Sequence, residues 1–112
     1  SNCKLKMVFQ PHRYSRTFDL YDEFIDVLKE VDELILLEIY SAGESKMEGI
    51  SSSGIKNSLE KNGFDNVELI LDKELVINKL ENETESDTVF IFQGAGDISS
   101  ISNHVANDFI KR

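Results

Sequence analysis

Residues 5–17 read LKMVFQPHRYSRT and set the pattern for the whole chain. Leu5 to Phe9 is a short, nearly continuous apolar run, which is typical of a strand buried on both faces of a parallel sheet. The chain's single proline, Pro11, follows at once and indicates a loop. Helical spacing begins after the loop, and Thr17 is a candidate N-cap. The stretch therefore predicts a strand, a short loop and a helix that starts near Thr17.

The same alternation continues to the end of the chain. Three further apolar runs predict strands at Leu34 to Tyr40, Val67 to Leu71 and Val89 to Phe92. The segments with helical spacing are the stripe of Phe18, Tyr21, Phe24, Ile25 and Leu28; Ser53 to Asn62, closed by Gly63; about Lys73 to Leu80; and about Ile98 to Ile110. The order β-α-β-α-β-α-β-α predicts an α/β fold, with a doubly wound, mainly parallel sheet of about four strands and helices on both faces.

Composition limits the classes of function. A chain of 112 residues is the size of one domain, and we assign residues 3–112 to it, with Ser1-Asn2 resembling a cloning remnant. The net charge of −9 argues against binding to nucleic acid or to an anionic membrane, because both require a positive field. No apolar run approaches the roughly 20 residues of a membrane span. Cys3 is the single cysteine, which fits a reducing compartment, and we expect a cytoplasmic protein.

In doubly wound folds the functional residues gather at the carboxyl ends of the strands. The first such segment holds His12, Arg13 and Arg16 between a strand end and a helix start. Guanidinium groups at a helix amino terminus suit a carboxylate or a phosphate, although both arginines could equally pair with surface carboxylates.

Two further loops are predicted at the same edge of the sheet. Glu44, in the loop after the second strand, could receive an ammonium group or simply be solvated. Residues 93–97, Gln-Gly-Ala-Gly-Asp, resemble the opening of a dinucleotide fingerprint, but Ser99 stands where a third glycine or alanine belongs. A glycine turn that brings the backbone close to a ligand is the better interpretation. The chain has no phosphate-binding loop, and neither Cys3 nor His104 has the neighbours of a metal site, so we predict no cofactor or metal site in it.

Residues 8–17, VFQPHRYSRT, followed by DLYDEF at 19–24, closely resemble the carboxy-terminal domain of the alanine-adding members of the Mur ligase family. Residues 39–44 (IYSAGE), 49–50 (GI) and 93–98 (QGAGDI) resemble that family's later motifs and occur in the same order. The resemblance extends through nearly the whole chain from Val8 onward. It implies a Rossmann-like carboxy-terminal domain of a three-domain, ATP-dependent ligase of cell-wall peptidoglycan synthesis.

In this family UDP-N-acetylmuramate is activated by ATP with magnesium, both held mainly by a central domain, and L-alanine then attacks the acyl phosphate. Carried over by motif, Arg13 and Arg16 contact the carboxylate of the incoming alanine. The resemblance implies weaker roles for His12 in the same turn and for Glu44 and Asp97, which could frame the amine. It places no catalytic residue within the fragment alone, so we expect the fragment to be inactive.

Two alternatives remain open: a related ligase that attaches a recycled peptide to UDP-N-acetylmuramate, and a non-catalytic, flavodoxin-like module that binds small ligands. We also expect the chain to be truncated at its start, with at least one strand and its helix upstream of Leu5. Removal of a central strand would leave Leu5–Phe9 without a neighbour. The fragment is therefore predicted to self-associate through an exposed sheet edge.

Overall fold

The computed structural model describes residues 4–82, 88–94 and 101. Its strands are β1 (Lys4–Gln10), β2 (Glu33–Leu36), β3 (Val67–Leu69) and β4 (Thr88–Gly94). They form one four-stranded sheet in the order β3-β2-β1-β4, and every pairing is parallel. Each strand overlaps one of the predicted apolar runs. The predicted doubly wound α/β fold is confirmed.

The position of β1 determines where a ligand can bind. From β1 the chain moves outward to β2 and β3, and then returns across the sheet to add β4 on the other side of β1. The helix α2 (Tyr21–Leu28), which follows β1 in the chain, packs on one face of the sheet, and Ile101, which follows β4, packs on the other. Such a topological switch point opens a crevice at the carboxyl ends of the two strands.

Four helices lie in the described ranges: α1 (Tyr14–Asp19), α2 (Tyr21–Leu28), α3 (Ser52–Lys61) and α4 (Lys73–Glu81). The predicted bounds of α3 and α4 are confirmed to within one residue, and Gly63 follows α3 with a φ of 87°. The predicted last helix, 98–110, lies outside the described residues except for Ile101, which is helical and buried. None of the described helices is long and apolar enough to cross a membrane.

Apolar clusters cover both faces of the sheet. On one face α2 and α3 pack against the strands, and on the other α4 and Ile101 do so. The first cluster contains Met7, Phe9, Ile25, Leu28, Val31, Leu34, Leu36, Ile55, Leu59 and Val67. The second contains Val8, Ile35, Leu37, Ile70, Val76, Ile77, Leu80 and Ile101. Burial on both faces explains why the strands read as continuous apolar runs.

The predicted start of the first helix at Thr17 is wrong. The helix begins at Tyr14, and Thr17 is fully buried inside α1, where its hydroxyl donates to the carbonyl of Arg13 at 2.7 Å. Phe18, predicted to join the buried stripe, is 59% exposed because the chain turns at Leu20 and starts a new helix. The backbone amide of Tyr14 is capped by a side chain 30 residues away, which no local pattern indicates.

The prediction that Leu5–Phe9 lacks a neighbour is also wrong. β1 pairs with β2 on one side and along its full length with β4 on the other. The chain itself winds outward from β1 in both directions, so this strand is central. Among the described strands, β3 and β4 form the edges of the sheet.

Candidate functional site

The loop between β1 and α1 is fastened to the segment that follows β2. The backbone N–H of Arg13 donates to the carbonyl of Tyr40 at 2.7 Å, and the N–H of Tyr40 donates to the carbonyl of Pro11 at 2.8 Å. The rings of His12 and Tyr40 stack with centroids 5.7 Å apart. These contacts extend the β1–β2 pairing past the sheet and hold the two loops side by side.

A tight turn after Tyr40 aims the second loop back at the first. The N–H of Glu44 donates to the carbonyl of Ser41 at 3.0 Å. The two residues between them, Ala42 and Gly43, have φ values of 51° and 91°. Positive φ at both central positions is the signature of a type I′ turn, which reverses the chain sharply.

The carboxylate of Glu44 caps the start of α1. One oxygen, Oε1, accepts from the backbone N–H groups of Tyr14 at 2.8 Å and Ser15 at 3.1 Å, and Oε2 accepts from the Ser15 hydroxyl at 2.5 Å. The hydrogen bond from the Ser15 hydroxyl, followed by those from the two amides and the nearby charge of Arg13, lowers the pKa of Glu44. The side chain therefore stays ionised to a lower pH than an ordinary glutamate does. An internal carboxylate thus occupies the helix start at which we had expected an external anion.

Backbone strain is concentrated at these two loops. Among the described residues, Arg13 (φ 69°) and Ala42 (φ 51°) are the non-glycine residues with positive φ. Such conformations cost on the order of 1–3 kcal/mol each and persist where the surroundings impose them, often at functional sites. The carbonyl of Tyr40, which accepts from the Arg13 N–H, and the carboxylate of Glu44, which accepts from the Tyr14 N–H, supply that constraint.

A cleft of about 290 Å³ opens at the switch point between β1 and β4. Its polar lining comes from Gln10, His12, Arg16 and Gln93, with Gly94 at the end of β4. Gly94 has a φ of 127°, and a Cβ atom there would overlap the carbonyl oxygen of Gln10. The glycine therefore lets β4 approach β1 closely where the cleft begins.

The structure brings together some of the predicted site residues. His12 and Arg16 line the cleft, whereas Arg13 is not part of its lining and lies near Glu44; both arginines are exposed. Asp97 lies outside the described residues. Sequence reasoning missed Tyr40 and Ser15, which hold the loops in place. The sequence predicts Tyr40 at the end of a strand, and its stacking on His12 depends on a pairing of loops that the sequence does not reveal.

No metal site is apparent among the residues that the structure describes. No group of three or more His, Cys, Asp or Glu side chains lies close enough together to hold an ion. The chemistry of the described site is instead that of guanidinium and imidazole groups beside exposed backbone. It suits recognition of a small anionic group.

The sequence and structure comparisons both find ligases of the same name as relatives of this chain. No protein-family model matches the chain. UDP-N-acetylmuramate–L-alanine ligases from three strains of Buchnera aphidicola subsp. Acyrthosiphon pisum (Tuc7, 5A and APS) are each 36% identical to it over 104 residues, which is 93% of this chain and 22% of each relative. The crystal structure of the UDP-N-acetylmuramate-alanine ligase from Thermotoga maritima matches with a TM-score of 0.64 and 26% identity, over 98% of this chain and 21% of that one. The chain thus spans about a fifth of the length of these relatives.

Proposed function

We propose that this chain, a homologue of one part of the UDP-N-acetylmuramate–L-alanine ligases, is the amino-acid-binding, carboxy-terminal domain of such a ligase. The observation that carries the proposal is the cleft at the β1–β4 switch point, because His12 and Arg16 line it in the position where doubly wound folds bind ligands. The motifs around both residues resemble those of the ligases, which supports the same assignment.

The proposed role of Arg13 and Arg16 is to hold the carboxylate of L-alanine. A guanidinium group presents planar, paired donors that match a carboxylate, and Arg16 lies on the first turn of α1, three residues after Arg13. Fixing the carboxylate leaves the amine free to attack. In the proposed reaction the amine attacks the carbonyl carbon of the muramoyl acyl phosphate and a C–N bond forms. Phosphate leaves with the electrons of the broken C–O bond, and the nitrogen loses a proton to give the amide.

The proposal assigns ATP and magnesium to the rest of the parent enzyme. Among the described residues, no group of three or more His, Cys, Asp or Glu side chains could hold a metal ion. The chain alone is accordingly expected neither to hydrolyse ATP nor to form the amide. We propose a cytoplasmic location, since the reaction consumes ATP.

The test is to replace each arginine in the full-length ligase that contains this chain. Arg13→Ala and Arg16→Ala should each lower kcat/KM for L-alanine by roughly two orders of magnitude. Loss of a charged hydrogen bond of about 1.5–3 kcal/mol accounts for part of the effect, and misplacement of the amine accounts for the rest. The KM values for ATP and for the UDP-sugar should stay within about twofold. Lys61→Ala, at an exposed cation on the end of α3, is the matched control.

The same assay separates the alternatives. Ligation of a peptide in preference to alanine would identify the enzyme as the recycling ligase. Alanine kinetics that both arginine variants leave unchanged would contradict the assigned role, and a parent protein without any ligase activity would favour the non-catalytic binding module.

A further inference from the structure

We propose that Glu44 is a positioning residue, whose carboxylate holds the start of α1 so that Arg13 and Arg16 face the substrate in a fixed arrangement. The inference rests on the proposed function, because it concerns how the alanine-binding arginines are placed. It assigns Glu44 to the protein's own backbone and not to the amine of the substrate.

The side-chain hydrogen bonds of Glu44 are made to the protein's own helix α1. Its two oxygens accept three hydrogen bonds, from the amides of Tyr14 and Ser15 and from the Ser15 hydroxyl, at 2.8, 3.1 and 2.5 Å. Both oxygens are therefore already engaged by α1. A substrate ammonium group would have to compete with these donors.

The element that Glu44 caps cannot hold its own position. α1 has six residues, and helices this short are marginal in water without outside support. Arg13, directly before it, has no side-chain capping bond and a φ of 69°. A helix that begins with a strained residue and has no cap of its own needs a partner, and Glu44 supplies one.

The type I′ turn explains why the partner is a glutamate at this position. Ala42 and Gly43 reverse the chain, and the N–H of Glu44 closes the turn on the carbonyl of Ser41 at 3.0 Å. The turn directs Glu44 at the α1 start, and Tyr40, just before the turn, binds the backbone of Arg13. Tyr40 and Glu44, on either side of the turn, thus fasten adjacent points of the arginine loop.

The experiment compares Glu44→Ala with Glu44→Gln in the full-length ligase. Glutamine keeps an oxygen that can accept from the Tyr14 and Ser15 amides, but it carries no charge with which to form an ion pair with an ammonium group. The alanine variant should lower kcat/KM for L-alanine by about tenfold to a hundredfold, since small displacements of positioning groups have effects of this size. The glutamine variant should recover most of that loss. Glu48→Gln, at an exposed glutamate in the same loop, is the control and should behave as wild type.

A second readout does not depend on activity. In the 112-residue chain, Glu44→Ala should remove the hydrogen-exchange protection of the Tyr14 and Ser15 amides and shift the NMR signals of residues 11–17. In Glu44→Gln, most of the amide protection should remain and the NMR signals of residues 11–17 should shift little. The signals of α4 should not change in either variant.

The outcomes separate this inference from the proposed function. A glutamine variant as defective as the alanine variant, with intact amide protection, would overturn the positioning role in favour of direct contact with the amine. Normal alanine kinetics for Glu44→Ala, with Arg13→Ala and Arg16→Ala impaired, would overturn the inference alone. Normal kinetics in all three variants would instead refute the proposed function, and the exchange measurement would still decide whether Glu44 holds α1.

Discussion

Gly94 allows a close approach between β4 and β1. It pairs with Gln10 at the end of the β1–β4 ladder and has a φ of 127°. Gly63, after α3, also has a positive φ, 87°, but has open space where a side chain would lie. An added side chain would meet backbone strain at both glycines but steric overlap only at Gly94. Comparing the two therefore separates these contributions to the free energy of unfolding.

We expect Gly94→Ala to lower the free energy of unfolding by about 3 kcal/mol, because overlap with Gln10 adds to the unfavourable φ. Gly63→Ala should cost only about 1 kcal/mol, from strain alone. Urea denaturation of both variants measures the difference. Equal losses would mean that the β1–β4 ladder relaxes around the added methyl group and that the close approach is not needed.

At the scale of elements, a charged cluster ties β1 to β2 at the end of the sheet opposite the candidate site. The carboxylate of Glu33 forms two ion pairs, between Oε1 and Lys4 Nζ at 2.7 Å and between Oε2 and Lys6 Nζ at 2.9 Å. The Lys6 side chain is only 4% exposed. Hydrogen bonds from Lys4 and then from Lys6 lower the pKa of Glu33 below its ordinary value of 4.5. The parallel register, in which Lys6 lies opposite Glu33, brings the two strands' charges together.

Because the pKa of Glu33 is lower in the folded chain, its contribution to stability is complete above pH 4.5 and is lost as the pH falls through the folded pKa. Glu33→Gln should therefore reduce the free energy of unfolding by about 1–2 kcal/mol at pH 7, and the difference from wild type should shrink as the pH falls through the lowered pKa of folded Glu33. Glu60→Gln, which breaks the partly exposed Lys56–Glu60 pair of α3, should change the free energy of unfolding by at most about 0.5 kcal/mol. If Glu33→Gln lowered the free energy of unfolding by the same amount at every pH, the variant would have lost packing interactions and not the ion pairs.

The elements differ in how far the sequence predicts them. All four strands and the helices α3 and α4 carry local signals: apolar runs, N-caps at Ser51 and Asp72, and a terminal glycine. The start of α1 carries no such signal, because its cap is Glu44, 30 residues away from Tyr14. For the same reason the sequence indicates that Arg16 and His12 belong to a site but not which residues hold them there. Contacts between loops that are distant in sequence depend on the order and register of the strands, so a local sequence pattern does not predict them.

At the scale of the whole molecule, the sheet ends on one side in a long edge. β4 has seven residues, and its outer side has no partner strand in the described part of the chain. Val89, on this strand, is 49% exposed. Exposed strand edges with apolar side chains tend to pair with other copies. The net charge of −9 opposes such association at low ionic strength, and salt screens that repulsion.

We therefore expect the 112-residue chain to associate reversibly through β4, more strongly at high salt, as measured by sedimentation velocity across a dilution series. Val89→Lys should shift the equilibrium toward monomer, because a charge on the edge strand disfavours pairing with a second copy. Leu75→Lys provides a matched control, since Leu75 is a similarly exposed apolar residue, 57% accessible, on α4. If Leu75→Lys abolishes the association and Val89→Lys does not, the contact between copies lies on the helical face and not on β4. A monomer at every concentration and salt level would show that the β4 edge is protected in solution.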